Sequence, residues 1–376
     1  MKPYFVEVRN GSRSIVVWNT CCAKEQYLRM NSDRRTFLLM AGAAALAGPA
    51  VNQAKGQGTA KVLLPHASWD CGMKDGIPNP ESGSLIFETQ LKLDRLAKIG
   101  KTQYGNRRVA VALEGTTTGP KFAGSVMTGA LDFELTLSNG TVEVEQIFVF
   151  KTGDGKYIYS RSAGVGADAK DVRIAMDFEA PNGSSSEWLN SGKYVARRIL
   201  DENAKTLTVR VYDVSSVAIP TGAADVTRMV KPADAPPQPW ANRMRGADEK
   251  QGKELIVESV GLSPSQRVGA SKRGNRNIIP ITGGDLSGRI AGKVLSGGAD
   301  YQNLSGPPAI DARYLWQASD GEIIIVRNTT STGGLVPIFE ARVDGPYAYL
   351  NTGKFLSSNP GMANGGVKIT MYDSTN

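Results

Sequence analysis

The sequence predicts an all-β protein built from two tandem antiparallel β-barrel domains. Three observations support this class: an internal repeat, short segments that alternate apolar and polar residues, and glycine-rich turns between them. The repeat is clearest where the segment 274–284 matches the segment that begins 169 positions earlier, at 105. Later matches keep the same order, and the separation falls to 161 at residues 349–351. A slowly shrinking separation is what loop deletions produce in a duplicated domain.

Alternation predicts the strands of both repeats in chain order. In the first repeat these strands lie at 85–93, 132–137, 141–149 and 207–211. In the second they lie at 255–260, 278–281, 310–316, 323–327, 336–343 and 367–372. Asn-Gly at 139–140 and Asp-Gly at 154–155 are typical of tight hairpin turns. Because no segment has the period of an amphipathic helix, we expect antiparallel sheets that close on themselves, or pack as a sandwich, to cover their edges.

Composition shifts along the chain indicate the domain boundaries. The first, diverged repeat is expected at 83–215 and the second at 253–376, joined by a proline-rich, semi-rigid linker at 216–252.

Residues 55–82 have no helical period and are rich in proline and unusual side chains, which indicates an ordered arm packed on a barrel. The simpler interpretation is that Trp69 and Cys71 cover apolar surface. The alternative places His66, Trp69 or Asp70 over the mouth of a cavity.

Residues 1–54 are expected to be a leader that contains a twin-arginine export signal. Arg34 and Arg35 precede an apolar segment at 37–51 that is rich in small residues. A spanning helix needs about 20 apolar residues, so we expect periplasmic localisation with no stable membrane insertion. Five of the eight net positive charges lie within residues 1–55. The small remainder gives no reason to expect a nucleic-acid partner.

The cysteine and histidine content excludes several chemistries. Cys71 is the only cysteine after the leader, so no intrachain disulfide is expected, and His66 is the only histidine. The chain therefore lacks the cysteines and histidines for a zinc site built on them. A Ser-His-Asp catalytic set is likewise incomplete unless His66 is recruited alone. Neither a calcium-loop spacing nor a glycine-rich nucleotide fingerprint is present. We therefore expect no metal and no cofactor.

The second repeat resembles the DUF3237 (UPF0311) family of β-barrel domains. The motifs that carry the resemblance lie in order at 278–284, 297–301, 311–314, 326–328 and 349–351. The first repeat resembles a diverged member, with Glu145 in place of Asp311 and Ile147 in place of Arg313. The resemblance implies one barrel per repeat, able to take a small apolar or aromatic molecule. It also suggests cofactor-free conversion of lignin-derived aromatic acids, including decarboxylation, as associated with some members.

Candidate chemistry centres on one predicted strand of the second repeat. Alternate residues of a strand share a face, so Asp311, Arg313 and Leu315 point one way. If that face is the barrel interior, a carboxylate and a guanidinium meet inside it, and Arg327 would complete the network. The alternative is a structural salt bridge that fixes the strand register, because such networks imitate active sites.

On the functional interpretation, Arg313 and Arg327 bind a substrate carboxylate through their planar guanidinium groups. Asp311 or Glu340 would act as general base. The proton donor to a developing phenoxide or carbonyl oxygen would be Tyr301 or Tyr314. Substrate contacts are expected from Glu340, Trp316, Tyr349, Asn351 and Asp300.

These assignments predict a cofactor-independent lyase that decarboxylates a phenolic acid. The aromatic residues would supply an apolar wall, although each is more commonly part of a core. Asp300 and Asn351 are more commonly turn or capping groups. The alternative function is a non-catalytic periplasmic barrel that binds small apolar or aromatic ligands.

Overall fold

The computed structural model describes residues 61–235, 242–363 and 365–375. The expected leader and twin-arginine signal at 1–54 lie outside the described residues. Within the described ranges, no helix has the length and apolar character to cross a bilayer. The helical elements found there are short 3-10 turns at Ala67–Trp69, Pro80–Ser82, Glu187–Asn190 and Ala348–Asn351.

The arm and the linker meet in a small sheet on the surface of the first barrel. Strand β1 (Val62–Leu64) pairs antiparallel with β2 (Ile77–Pro78) and parallel with β13 (Val226–Arg228) of the linker. Trp69 anchors the arm, since its indole Nε1 donates to the Gly164 carbonyl at 2.8 Å.

The first repeat folds into a closed antiparallel barrel, as the alternation and turn pattern predicted. Its strands are β3 (Ser84–Lys101), β4 (Asn106–Thr118), β5 (Gly124–Val126), β6 (Ala130–Thr136), β7 (Val142–Thr152), β8 (Tyr157–Gly166), β9 (Val172–Met176), β10 (Phe178–Glu179), β11 (Tyr194–Asp201) and β12 (Thr206–Asp213). Eight of them form the ring β3-β4-β6-β7-β8-β9-β11-β12, which closes when β12 pairs with β3.

The second repeat forms the same kind of ring. Its strands are β14 (Lys253–Leu262), β15 (Gln266–Ser271), β16 (Gly274–Gly288), β17 (Gly292–Val294), β18 (Ala299–Asn303), β19 (Asp311–Ala318), β20 (Ile323–Ser331), β21 (Gly334–Glu340), β22 (Phe355–Ser357), β23 (Gly361–Ala363) and β24 (Gly366–Asp373). The ring runs β14-β16-β18-β19-β20-β21-β22-β24 and closes when β24 pairs with β14. The prediction of two tandem barrels is confirmed.

Each barrel has its own apolar interior, and a third apolar cluster lies between the two barrels and the arm. The interior of the first contains Phe87 and Phe150, whose rings are 5.7 Å apart. The interior of the second contains Trp316 and Phe339, with ring centroids 5.1 Å apart. The third cluster includes residues of the arm and both repeats: Trp69, Val109, Tyr159, Ile278, Tyr301 and Leu315. One outer face of each barrel is therefore buried against the other.

Ion pairs cross this interface reciprocally. Arg107 of the first repeat donates to both carboxylate oxygens of Glu340 in the second, at 2.7 and 2.9 Å. Arg276, which the repeat aligns with Arg107, donates to both oxygens of Glu179 at 2.8 Å. Contacts in which each half supplies the same residues to the other are typical of two-fold dimers. The two repeats thus associate as the subunits of a homodimer do.

Close approach of the barrels depends on glycines at equivalent positions. Gly129 and Gly297 both have positive φ, at 103° and 105°. A Cβ on Gly297 would come within 2.2 Å of a Val111 methyl group in the first repeat. A larger residue there would therefore separate the barrels as well as strain the backbone.

Candidate functional site

The charged residues predicted as a site lie between the barrels. Arg313 is fully buried and donates to Asp311 at 2.8 Å and to Glu145 of the first repeat at 2.8 Å. Arg161 of the first repeat bonds to both of those carboxylates. The face that Asp311 and Arg313 share with Leu315 packs against the other repeat, so the two residues meet between the barrels instead of inside one.

The remaining members of that predicted set are engaged in the same interface. Arg327 donates to Glu340, the carboxylate that also receives Arg107. The Tyr301 hydroxyl donates to the Gly129 carbonyl of the first repeat at 2.6 Å. These contacts join the repeats, and they occupy the groups assigned above to substrate binding and proton donation.

Electrostatics keep the interface carboxylates ionised. Burial alone would raise the pKa of Asp311, but the guanidinium groups of Arg313 and Arg161 outweigh it and leave that pKa lowered. The pKa of Glu145 is lowered for the same reasons. A carboxylate held ionised between arginines is a weak proton acceptor.

Tyr314 and Trp316 point into the second barrel, where they meet a carboxyl group that the sequence analysis did not assign. The Tyr314 hydroxyl donates to Glu258 Oε1 at 2.6 Å, and the Trp316 indole donates to Oε2 at 2.9 Å. Glu258 has no exposed surface. Burial raises the pKa of Glu258 to about 7, and the two hydrogen bonds only partly oppose that rise.

A signal for Glu258 was present in the sequence. Strand β14 places Ile256, Glu258 and Val260 on one face, and the two flanking residues are buried in the barrel interior. A charged residue at an apolar position of an alternating strand is the kind of exception that marks a site.

Asp300 lies in the same barrel, on β18, and is partly exposed. Its carboxyl group accepts hydrogen bonds from Gln302 Nε2 at 2.7 Å and from the Asp311 backbone amide at 3.2 Å. Burial raises the pKa of Asp300 to about 7. The pKa of Tyr314 is raised by burial first, then by the charge of Glu258 and then by that of Asp300. The ionisation of the phenol is therefore coupled to that of both acids.

Amide side chains surround Asp300 at one end of the barrel. Asn277 donates to Gln302 at 2.8 Å, and Asn328 donates to the Ser357 hydroxyl at 3.0 Å. The Oδ1 atoms of both asparagines are buried and accept no hydrogen bond within the described part of the chain. Because neither oxygen has accessible surface, a ligand with hydroxyl groups could bond to them only after neighbouring side chains move.

The corresponding end of the first barrel opens into a cavity of about 400 Å³. Arg108 and Glu134 line it and face each other in register, as Asn277 and Gln302 do in the second barrel. The Asp300 end of the second barrel therefore corresponds to this end of the first. In the first barrel the two charged groups at this opening are paired, because Arg108 donates to Glu134 at 2.6 and 3.0 Å.

Asn351 and Tyr349 lie on the 3-10 turn Ala348–Asn351. Asn351 binds both backbone groups of Ala341, at 2.8 and 2.9 Å, and Asn190 holds Ala180 in the same way in the first repeat. The Tyr349 ring is covered by the Arg289 guanidinium at 4.0 Å. Both polar ends of the Asn351 side chain are therefore used to hold the turn.

Comparison with known proteins places this architecture in a family. The model of a family described as a protein of unknown function (DUF3237) matches residues 82–217 and 255–335, more than half of the chain. The chain belongs to the DUF3237 family. Both repeats contribute to the match, which agrees with the two barrels.

Individual DUF3237 relatives match over shorter stretches. A UPF0311 protein of Bradyrhizobium diazoefficiens is 41% identical over 69 residues, which are 18% of this chain and 45% of the relative. A UPF0311 protein of Rhodopseudomonas palustris is 28% identical over 80 residues, 21% of this chain and 52% of the relative. The chain spans about half the length of the curated relatives it matches.

Two solved structures match about a third of this chain. A conserved protein of unknown function from Rhodopseudomonas palustris is 21% identical with a TM-score of 0.31, covering 35% of this chain and 95% of that one. An enzyme from Penicillium herquei is 18% identical with a TM-score of 0.28, covering 36% of this chain and 97% of that one.

The two DUF3237 repeats differ at the acid shared by their barrels. Asp132 of the first repeat aligns with Asp300, but Arg198 donates to Asp132 at 2.6 to 3.1 Å. Arg198 lies on β11, which runs to Asp201, whereas the corresponding strand β22 ends at Ser357. The second barrel therefore keeps the acid and lacks the arginine that neutralises it.

Proposed function

We propose that the second barrel is a cofactor-independent lyase that decarboxylates a small phenolic acid, with Asp300 and Glu258 as the proton-transfer groups. The observation that carries the proposal is the pair of interior carboxyl groups whose pKa values burial raises to about 7. Among the described residues, no lysine or arginine contributes to either pKa. Carboxyl groups tuned to this range suit proton exchange near neutral pH.

The chemistry needs one proton delivered to carbon and one relayed from the phenol. Protonated Asp300 gives its proton to the substrate carbon that bears the carboxylate. At the same time the proton of the substrate phenol passes through the Tyr314 hydroxyl to Glu258. The resulting quinone methide loses carbon dioxide when the carbon–carbon bond breaks. The electron pair of that bond forms the side-chain double bond, the ring becomes aromatic again as a phenoxide, and the ring oxygen regains its proton. Asp300, being partly exposed, is then reprotonated from solvent.

Substrate recognition follows from the chemistry of the Asp300 end of the second barrel. Once neighbouring side chains move, the Oδ1 atoms of Asn277 and Asn328 would accept hydrogen bonds from ring hydroxyl groups. The substrate carboxylate would meet the protonated carboxyl group of Asp300 and an apolar wall instead of the arginines expected from the sequence. Weak stabilisation of that carboxylate favours its loss as neutral carbon dioxide.

The test is turnover of para-hydroxycinnamic acids and their relatives by purified protein, followed by mass spectrometry. Asp300→Asn and Glu258→Gln are expected to reduce turnover by about 10²- to 10⁴-fold, the usual contribution of a positioned acid or base. Asp132→Asn is the matched control, because it alters the equivalent acid of the first barrel. Equal turnover by the wild type and both second-barrel variants would remove the assignment.

A binding protein is the second candidate, supported by the buried asparagine oxygens. Saturable binding of a phenolic acid, weakened by Asn328→Ala and giving no product after long incubation, would replace the lyase proposal with this one. Periplasmic export remains a proposal as well. Fractionation of cells that express the full chain tests it, with export expected to be lost when Arg34 and Arg35 are both replaced by lysine.

A further inference from the structure

The only histidine of the chain joins a hydroxyl group to a buried carboxylate. His66 Nε2 lies 2.6 Å from Glu143 Oε1, and the Ser68 hydroxyl lies 2.8 Å from His66 Nδ1. Glu143 belongs to β7 of the first barrel and is 2% exposed, whereas Ser68 is partly exposed on the arm. Two distant parts of the chain are needed to assemble the three groups.

The order of these contacts defines the direction of proton transfer. A carboxylate can only accept hydrogen bonds, so the Nε2–H group of His66 donates to Glu143. The imidazole is then left with its lone pair on Nδ1, directed at the Ser68 hydroxyl. A serine whose hydroxyl donates to an imidazole, itself oriented by a carboxylate, has the arrangement of roles found in serine hydrolases.

We propose that Ser68, His66 and Glu143 form a second reactive site, separate from the second barrel, that cleaves small esters. Ser68 Oγ attacks the ester carbonyl carbon while its proton moves to His66 Nδ1. The tetrahedral adduct collapses, and the departing alkoxide takes that proton. Water, deprotonated by His66, then attacks the acyl-enzyme, and the second collapse releases the acid and restores the Ser68 hydroxyl.

The three groups come together only when the arm docks on the first barrel, so activity at this site should depend on that docking. Trp69, next to Ser68, is buried and bonded to Gly164 of β8. The arm is further fixed by β1, which pairs with both β2 and β13. Ser68 and His66 are thus held against β7 by anchors on both sides, the preorganisation that a nucleophile needs.

A structural clamp would use the same His66–Glu143 contact, and a covalent probe separates the two roles. The full chain is treated with a fluorophosphonate, and the modified residue is located by peptide mass spectrometry. Modification at Ser68 is expected, and Ser68→Ala should remove it together with hydrolysis of para-nitrophenyl acetate. Ser82→Ala is the matched control, since Ser82 ends the other 3-10 turn of the arm and bonds only locally to the Asn79 carbonyl.

Glu143 is a positioning residue, and Glu143→Gln tests that role. The amide oxygen still accepts from Nε2, so protection of the arm from protease should be kept. Labelling at Ser68 should slow by about 10²-fold, the lower end of the range for general-base effects, and its pH profile should be displaced. Absence of labelling at Ser68 in the wild type would overturn the proposal. So would a Glu143→Gln variant that labels at the wild-type rate with an unchanged pH profile.

Discussion

Glu258 and Thr89 occupy the same position in the two barrels, and only one of them is a titratable group. Strands β3 and β14 share one burial pattern from their first residues, which aligns Thr89 with Glu258. Thr89 is bonded to the Thr117 hydroxyl at 2.9 Å, a neutral cross-strand pair. In the second barrel the same place holds a carboxyl group bonded to Tyr314 and Trp316. The duplication thus produced one barrel with a neutral pair at this position and one with an acid.

Glu258 should make stability depend on pH. Its pKa is raised from 4.5 to about 7, so between these values the folded protein keeps a proton that the unfolded chain has lost. The free energy of unfolding therefore falls as pH rises from about 4.5 to 7 and is lower above that window. For a fully buried group this loss is at most about 3 kcal/mol.

Glu258→Gln should remove that part of the pH dependence. Urea unfolding of the variant at pH 4 and pH 8 is expected to give a smaller difference than unfolding of the wild type. Glu254→Gln, an exposed change on the same strand, is the control and should leave the wild-type slope. An unaltered slope in Glu258→Gln would show that Glu258 does not retain its proton in the folded state.

Tyr314→Phe should alter both stability and pH response. It deletes the donor to Glu258 Oε1, which costs about 1 to 2 kcal/mol for a buried hydrogen bond. Because that hydrogen bond lowers the pKa of Glu258, its loss should extend the pH-linked decline to higher pH. Tyr301→Phe is the matched comparison, because it also deletes one buried hydroxyl donor but at the inter-barrel interface.

Urea titrations across pH distinguish the two tyrosine variants. Both are expected to be destabilised by a similar amount, and only Tyr314→Phe should displace the pH midpoint. If Tyr314→Phe lost stability and yet displaced the pH midpoint no more than Tyr301→Phe does, Tyr314 would act by packing alone.

The sequence predicted the fold well because repeat order and turn chemistry are local features. Asn-Gly at 139–140 does join β6 to β7, and Asp-Gly at 154–155 joins β7 to β8. Alternation also separated Arg313 from Tyr314 correctly. It did not reveal which face was inside, because the first repeat covers the outer face of β19, so that residues on both faces of this strand are buried.

The chemistry of the site was harder to predict because it depends on distant elements. Burial raises the pKa of Asp300, whereas the equivalent acid of the first barrel, Asp132, is paired with Arg198 on the distant strand β11. The contact between His66 and Glu143 likewise requires the arm to dock on β7. His66 was recognised as unusual, but Glu143 lies 77 residues further along the chain, too far for spacing to identify it as a partner.

Asn351→Ala should destabilise the second barrel by about 1 to 3 kcal/mol, since it leaves both backbone groups of Ala341 without partners. Asn190→Ala should have a similar effect in the first barrel. Turnover per folded molecule should be unchanged in both, because the two side chains hold equivalent turns. A selective loss of turnover in Asn351→Ala would return that residue to the ligand contacts first expected of it.

The reciprocal interface predicts unequal energies for two equivalent arginines. Arg107 is 1% exposed and paired with a buried carboxylate, whereas Arg276 lies nearer solvent. Removing one partner of a buried pair costs about 3 to 5 kcal/mol because a charge is left without compensation. Arg107→Met should therefore reduce the free energy of unfolding by about that amount, and Arg276→Met by less.

Urea unfolding and a double-mutant cycle with Glu340→Gln measure the first of these energies. Coupling between Arg107 and Glu340 should exceed about 1 kcal/mol, as expected for residues in one buried network. Lys293→Ala, which breaks an exposed pair with Asp285, is the control and should cost no more than about 1 kcal/mol. If Arg107→Met were no more destabilising than that control, the barrels would be held by their apolar contacts alone. The ion pairs would then serve only to align the two repeats.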